Sequence, residues 1–363
     1  MAADVTNYQC PACTGPLKFA GESGQVKCEY CENAYEVSTI EMIYADKAQE
    51  TAGAEAMQWQ TDNVGSEWSA AEAEGMRAYS CPSCGAEIIC DATTAATSCV
   101  YCGNPTVVPG QFGGTLKPDY VIPFKLEKEA AKAKLLQYYK GKKFLPDSFA
   151  TGNHVEEIKG VYAPFWLFDG EADASVRYRA KRVSSRRSGD YQITTTEHYR
   201  VIRQGDIKFR KVPVDGSSKM PDAHMDAIEP YDYNEIKDFS TAYLPGFMAD
   251  KYDLDAQACA PRVDERLRNS ASQALASTVN GYTSVVPEFT DIRLQHGEIK
   301  YALLPVWMLH TKWNGKDFLF AMNGQTGKMI GDLPIDKKKY CKWLFGIFLP
   351  VVAVCLAIAF FAL

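Results

Sequence analysis

Cys81-Pro82-Ser83-Cys84-Gly85, followed by Cys99-Val100-Tyr101-Cys102-Gly103, is the stretch from which the rest of the chain can be read. Two cysteines two residues apart put both sulfurs on one side of a tight turn. A pair of such turns, facing each other across a short hairpin, offers four thiolates in the tetrahedral arrangement that Zn2+ accepts. Fourteen residues separate the two pairs, and the same spacing occurs upstream in Cys10, Cys13, Cys28 and Cys31, each 71 positions before its counterpart. The pattern predicts two four-cysteine zinc ribbons holding two structural Zn2+ ions. A closed all-thiolate site keeps no open coordination position, which points to a scaffold and away from a metalloenzyme. Pro11, Pro82, Gly85 and Gly103 suit a knuckle whose backbone N–H groups point at the sulfurs. A module of about forty residues also has too little core to fold without such a metal.

The chain of 363 residues has a formal net charge of -6, with no global pull toward nucleic acid. Residues 1–75 carry thirteen acidic side chains against Lys18, Lys27 and Lys47, and no Lys or Arg stands between Arg77 and Lys117. Both ribbons therefore lack the clustered cations that a phosphate backbone requires. The N-terminal Met1–Cys10 has no apolar core segment, predicting no signal peptide.

Trp343 to Leu363 reads as 21 residues without a charge, preceded by Lys337, Lys338, Lys339 and Lys342. The length matches a bilayer's hydrocarbon core, and flanking lysines mark a cytoplasmic side. The expectation is a single-pass transmembrane tail anchor in the inner or cytoplasmic membrane, with the bulk of the chain in the cytosol. Thiols stay reduced there, which agrees with zinc. Cys341, beside the expected span, suits acylation.

The expected organisation is zinc ribbon 1 at 1–45, an Ala/Glu-rich linker or helix at 46–77 containing Trp59 and Trp68, zinc ribbon 2 at 78–108, an α+β body at 118–335, and the tail at 343–363. Within the body, helical periodicity runs over Glu127–Tyr139 and Arg262–Asn280. Alternation predicts an antiparallel meander of Ala174–Val183, Tyr191–Arg203 and Ile207–Val214, turning at Ser188-Gly189-Asp190 and Gln204-Gly205-Asp206. Tyr162-Ala-Pro-Phe-Trp and Tyr301-Ala-Leu-Leu-Pro-Val-Trp each follow a helix, suggesting an internal duplication. The predicted fold class is α+β.

The meander concentrates cations: Arg177, Arg179, Lys181, Arg182, Arg186, Arg187, Arg200, Arg203, Lys208, Arg210 and Lys211 face only Asp190, Glu197 and Asp206. Such a face suits contact with anionic lipid or another polyanion; a solvated outer surface is the plainer reading. His154, His198, His224, His296 and His310 are scattered without a nucleophile or carboxylate at motif spacing. No P-loop, GxSxG, HExxH or GxGxxG is present, so the reading is non-enzymatic with no small-molecule substrate.

The ribbons, the Trp68–Tyr79 lead-in, Ala95-Ala96-Thr97, Pro305-Val306-Trp307 and Asn323-Gly-Gln-Thr-Gly327 resemble those of bacterial TFIIB-type zinc-ribbon-containing membrane proteins. The resemblance implies protein partners with SPFH-domain and phage-shock-protein-A-like character and a role in membrane stress or membrane organisation. The leading expectation is a membrane-anchored cytosolic adaptor or scaffold for protein–protein interaction. The alternative is a transcription-related nucleic-acid-binding protein using residues 177–211, which the acidic ribbons disfavour.

Overall fold

The computed structural model describes residues 17–20, 25–28 and 34–37 of an N-terminal unit. Beyond it, residues 59–147 are described except 62–63, 92–93, 95–97, 106, 111–112 and 114–115, together with 155–362. The chain divides into the units Met1–Gln58 and Trp59–Leu363. In the first, β1 (Leu17–Ala20), β2 (Gln25–Cys28) and β3 (Ala34–Glu36) form an antiparallel sheet in the order β1-β2-β3.

The second unit opens with α1 (Ala70–Glu74), β4 (Met76–Ser80), β5 (Glu87–Asp91), β6 (Val108–Gly110) and β7 (Tyr120–Val121). Then come α2 (Lys128–Tyr139) and two very long strands, β8 (Lys159–Ser188) and β9 (Tyr191–Asp215). After α3 (Asp222–Ala227), β10 (Lys237–Asp238) and β11 (Met248–Asp250) come α4 (Ala256–Ser277) and β12 (Ser284–Trp313). The unit ends with β13 (Lys316–Asn323), β14 (Met329–Gly331) and α5 (Lys337–Ala362).

One eleven-stranded sheet collects β4 to β14. Its main path is β10-β7-β12-β8-β11-β5-β4-β6, with β9 on β8 and β13 and β14 branching from β12. Two of its pairings are parallel, β12 with β7 and β11 with β8, so the sheet is mixed. Among the described residues, strand content is 44% against 26% helix. This corrects the α+β expectation: the fold is mostly β, because three strands run far past the lengths that local turn residues suggest. Gln204-Gly205-Asp206 is not a turn; Gln204, Gly205 and Asp206 pair in register with Ser175, Ala174 and Asp173. A continuous partner strand outweighs the turn propensity of three residues. The other predicted turn, at Gly189, does reverse the chain, with Gly189 at φ +60°.

The centre of the sheet is held by one hydrogen-bond arrangement that occurs twice. The Trp166 indole donates to the Leu254 carbonyl at 2.8 Å, just ahead of α4, and the Trp307 indole donates to the Leu126 carbonyl at 2.9 Å, just ahead of α2. Gly216 N donates to Pro164 O, and Gly324 N to Pro305 O, each at 2.8 Å. The Gly216 carbonyl accepts from Asp253 and Leu254, and the Gly324 carbonyl from Lys125 and Leu126. A Cβ at Gly324 would stand 2.7 Å from the Phe124 ring and 2.8 Å from Pro305 Cβ, so the close crossing needs glycine. These bonds satisfy the indoles of two buried tryptophans and fix how each helix enters the layer.

β12, β8 and β9 continue beyond this centre as a three-stranded arm. The thirty residues of β8 correspond to roughly 100 Å of strand. On one face of the arm, Ala172, Ala174, Val176, Tyr178 and Ala180 alternate inward and are buried. The three alanines among them leave room for α4, whose buried positions Cys259, Val263, Leu267, Ala271 and Leu275 recur every four residues. The Asp255 carboxylate caps that helix, accepting from Ala258 N at 2.7 Å. Leu267 is 1% exposed. Leu267→Ala is therefore expected to cost about 2–5 kcal/mol, read as a lowered urea midpoint at unchanged m-value. An unchanged midpoint would mean that α4 does not hold the arm.

The tail expectation is also corrected. Among the described residues, no helix is long and apolar enough to cross a membrane. One of the expected flanking lysines, Lys339, is held by the body of the unit. Lys339 Nζ lies 2.6 Å from Asp147 and donates to Leu145 O, while Tyr340 and Trp343 pack on Phe144. The first turns of α5 thus dock on the loop after α2. The tail anchor, the membrane contact and the inner-membrane location built on them are withdrawn.

Candidate metal centre

β4 delivers Cys81 at its end, and Gly85 and Ala86 return the chain into β5. In that turn Gly85 N donates to Cys81 O at 2.9 Å and Cys81 N to Ala86 O at 2.9 Å. The second turn repeats this: Gly103 N donates to Cys99 O at 3.1 Å and Cys99 N to Asn104 O at 2.8 Å. Gly85 and Gly103 take φ +72° and +67°, the left-handed region that each knuckle requires. A Cβ at Gly103 would also fall 2.6 Å from His310 Nδ1.

The two knuckles bring four thiols together. Cys81 Sγ is 3.6 Å from Cys102 Sγ, Cys84 Sγ is 3.6 Å from Cys99 Sγ, and all four sulfurs lie within 4.8 Å of one another. A tetrahedral ion with bonds near 2.3 Å needs sulfur–sulfur edges of about 3.8 Å. The donor set therefore fits a metal ion. Cys81 and Cys99 are buried, Cys84 and Cys102 half-buried. Burial raises the Cys81 thiol, but the N–H groups of Cys84 and Ser83 and the Cys102 side chain outweigh it and bring it down to about 7. Burial pushes the Cys84 and Cys99 thiols up. Ala86 N donates to Cys84, while Tyr101 N and Cys102 N donate to Cys99, an environment that favours thiolate once a cation is present.

The sheet and its neighbours complete the surroundings. Lys159, the first residue of β8, donates through Nζ to Ser98 O at 3.0 Å and to Ser98 Oγ, directly before Cys99. His310 on β12 packs against Gly103 and lies 3.1 Å from Asp317. Burial lowers the basicity of both Lys159 and His310. Tyr101, between two ligands, is buried beside Asp250 of β11; burial and that carboxylate push its phenol well above the ordinary tyrosine range. Ser217 Oγ donates to Asp250 Oδ2 at 2.7 Å. None of Lys159, Ser217, Asp250 and His310 was singled out from the sequence as belonging to this centre. They lie far from the cysteines in the chain, and only sheet pairing brings them there.

Of the other candidate residues, Cys10, Cys13 and Cys31 lie outside the described residues, and Cys28 ends β2. Cys90 is buried in β5 and Cys259 in α4, where its thiol faces Asp215 O at 3.6 Å. The cations of residues 177–211 do not share one face. Arg177, Arg179, Lys181 and Arg200 point away from α4. Arg182 turns toward it, over the rings of Tyr199 and Tyr282, and Arg203 donates to Thr278 at the end of α4. Lys208 pairs with Glu171 at 2.9 Å, and Arg187 Nε donates to Gly189 O. Arg186, Arg210 and Lys211 complete the run along β8 and β9.

No protein-family model matches the chain, and no solved structure matches it. It is similar to a Bacillus subtilis (strain 168) protein described as the uncharacterized protein YdjG. The two are 34% identical over 318 residues, covering 74% of this chain and 93% of the relative. At that identity and coverage, the chain belongs to the same family as YdjG of Bacillus subtilis.

Proposed function

We propose that the protein is a non-enzymatic adaptor of the TFIIB-type zinc-ribbon kind, with Zn2+ as a structural ion at Cys81, Cys84, Cys99 and Cys102. The observation that carries this reading is the closed set of four thiols within 4.8 Å, set into the same sheet as a long exposed arm. With every coordination position taken by sulfur, the ion would supply folding free energy and a rigid surface and would activate no water. Zinc suits the all-thiolate tetrahedron, and iron of the rubredoxin kind is the competing occupant. The identical spacing of Cys10, Cys13, Cys28 and Cys31 supports a second Zn2+ in the N-terminal unit. The absence of Lys and Arg between Arg77 and Lys117 favours protein over nucleic acid at the knuckles.

SPFH-domain and phage-shock-protein-A-like proteins, implied by the family resemblance, are the first partners to try. Metal analysis of the purified protein is expected to give zinc, two ions per chain. Pull-down with purified candidates is expected to succeed for the native chain and fail for the Cys99→Ser/Cys102→Ser variant. A variant that keeps every partner would overturn the adaptor role of the second ribbon.

A further inference from the structure

The face of the arm turned away from α4 has no layer over it among the described residues. Its register places Arg179 directly opposite Arg200 and Lys181 directly opposite His198. Like charges facing each other across a ladder are destabilising. The carboxylate nearest to this group is Glu288, 3.7 Å from Arg179. Apolar side chains are interleaved with the cations: Ile202 is 52% exposed and stands opposite Arg177, whose guanidinium lies 5.7 Å from the ring of exposed Phe289. The sheet also stops short on one side. β12 pairs with β8 only as far as Ser284 opposite Lys181, so Arg182–Ser188 and Tyr191–Glu197 continue as a two-stranded ribbon. Such a ribbon is marginal in water by itself.

β9 is the open edge. Among the described residues no strand pairs with its outer side over Tyr191–Asp215. A long strand edge that no other strand covers is a template for strand addition. Self-pairing of two β9 edges is opposed by charge: Arg200, Arg203, Lys208, Arg210 and Lys211 outnumber Glu197, Asp206 and Asp215. A phosphate backbone offers no donors to the C=O groups that alternate along a strand edge, and one exposed phenylalanine is no stacking platform for bases.

We infer that β9 accepts an added strand from an acidic polypeptide partner, one whose carboxylates alternate with apolar residues. Backbone hydrogen bonds to the edge supply affinity. Alternate carboxylates reach Arg179, Arg200 and Lys181, and the apolar residues between them turn to the other face, beside Tyr199 and Val201. This deepens the adaptor reading by naming the kind of partner and the surface that takes it, and it does not depend on the metal centre.

The test uses the full chain and a labelled peptide of alternating Glu and Val. Its controls are the Lys-Val counterpart and oligo(dT). Fluorescence anisotropy at low salt is expected to show binding of Glu-Val and none of Lys-Val. Arg179→Glu/Arg200→Glu should weaken that binding at least about tenfold, since it reverses two facing charges. Hydrogen exchange should slow at β9 amides between 191 and 204 when the peptide is present. Absence of Glu-Val binding by the folded chain overturns the proposal. So does equal binding of Lys-Val, oligo(dT) binding without Glu-Val binding, or a peptide-sensitive dimer in light scattering that marks a second copy as the occupant. If zinc-dependent partners are still captured in the pull-down while the peptide does not bind, the adaptor reading stands and the strand-addition site alone fails.

Discussion

Stripping the metal from Cys81, Cys84, Cys99 and Cys102 is expected to melt the segment from Met76 to Gly110 and to weaken the whole second unit. The first part follows from size. Two knuckles and three short strands bury little of their own, and structural zinc contributes about 10–16 kcal/mol of apparent folding free energy in finger peptides. The second part follows from where the segment sits. Cys81, Ala86, Ile88, Cys99, Val100 and Tyr101 share one buried cluster with Val161, Phe165, Leu304 and Val306 of β8 and β12. Unfolding the knuckles would open that cluster to water at about 25 cal/mol for each Å2 of apolar area. Hydrogen exchange on chelator-treated protein should show protection lost first in β4, β5 and β6. The melting temperature should then fall by several degrees or more, as a loss of even 1 kcal/mol moves a unit of this size by a few degrees. Cys99→Ser should reproduce both effects without chelator. Equal protection and equal melting with and without metal would show that the four thiols are only neighbours.

The cysteine spacing was legible because ligand geometry is local: a knuckle needs two sulfurs and a glycine within five residues, and Cys81–Gly85 and Cys99–Gly103 carry them in order. The helix around Leu267 was legible in its period and not in its start. The period begins at Arg262, while the Asp255 cap sets the start at Ala256 and Pro261 sits inside the helix. The strands failed for a different reason. Whether Gln204-Gly205-Asp206 turns or runs on depends on Asp173, Ala174 and Ser175 being there to pair with it, and no local window contains them. The residues around the metal centre are hidden in the same way. Lys159, His310 and Asp250 reach the knuckles through β8, β12 and β11, so a linear motif could not include them. The C-terminal apolar run was over-read: Lys339 beside it contacts Asp147 and Leu145, a role that composition cannot distinguish from membrane flanking.

Asp250 is the group through which pH should act on this fold. Its carboxyl is buried beneath the second knuckle, with Oδ2 accepting from Ser217. Burial raises it from the ordinary carboxylate range to about 7, against the opposing hydrogen bonds of Tyr101 and Ser217. In the unfolded chain the same group titrates near 3.9. Between those values the folded state holds a proton that the unfolded state has released, so stability falls as pH rises. The contribution is fully present below about 4 and is lost as pH passes through 7, with most of the change below pH 6 outside the window where zinc thiolates stay intact. From pH 6 to 8 the native chain, kept zinc-saturated, should lose about 1.4 kcal/mol through this group, since one proton over one pH unit corresponds to 1.36 kcal/mol. Asp250→Asn keeps the shape and an acceptor for Ser217 but cannot ionise. Urea midpoints at pH 6 and 8 should therefore converge in the variant, and the variant should be the more stable protein at pH 8. Parallel pH profiles for the two proteins would place the buried charge elsewhere and leave Asp250 ionised, held by Ser217 and the cations around it.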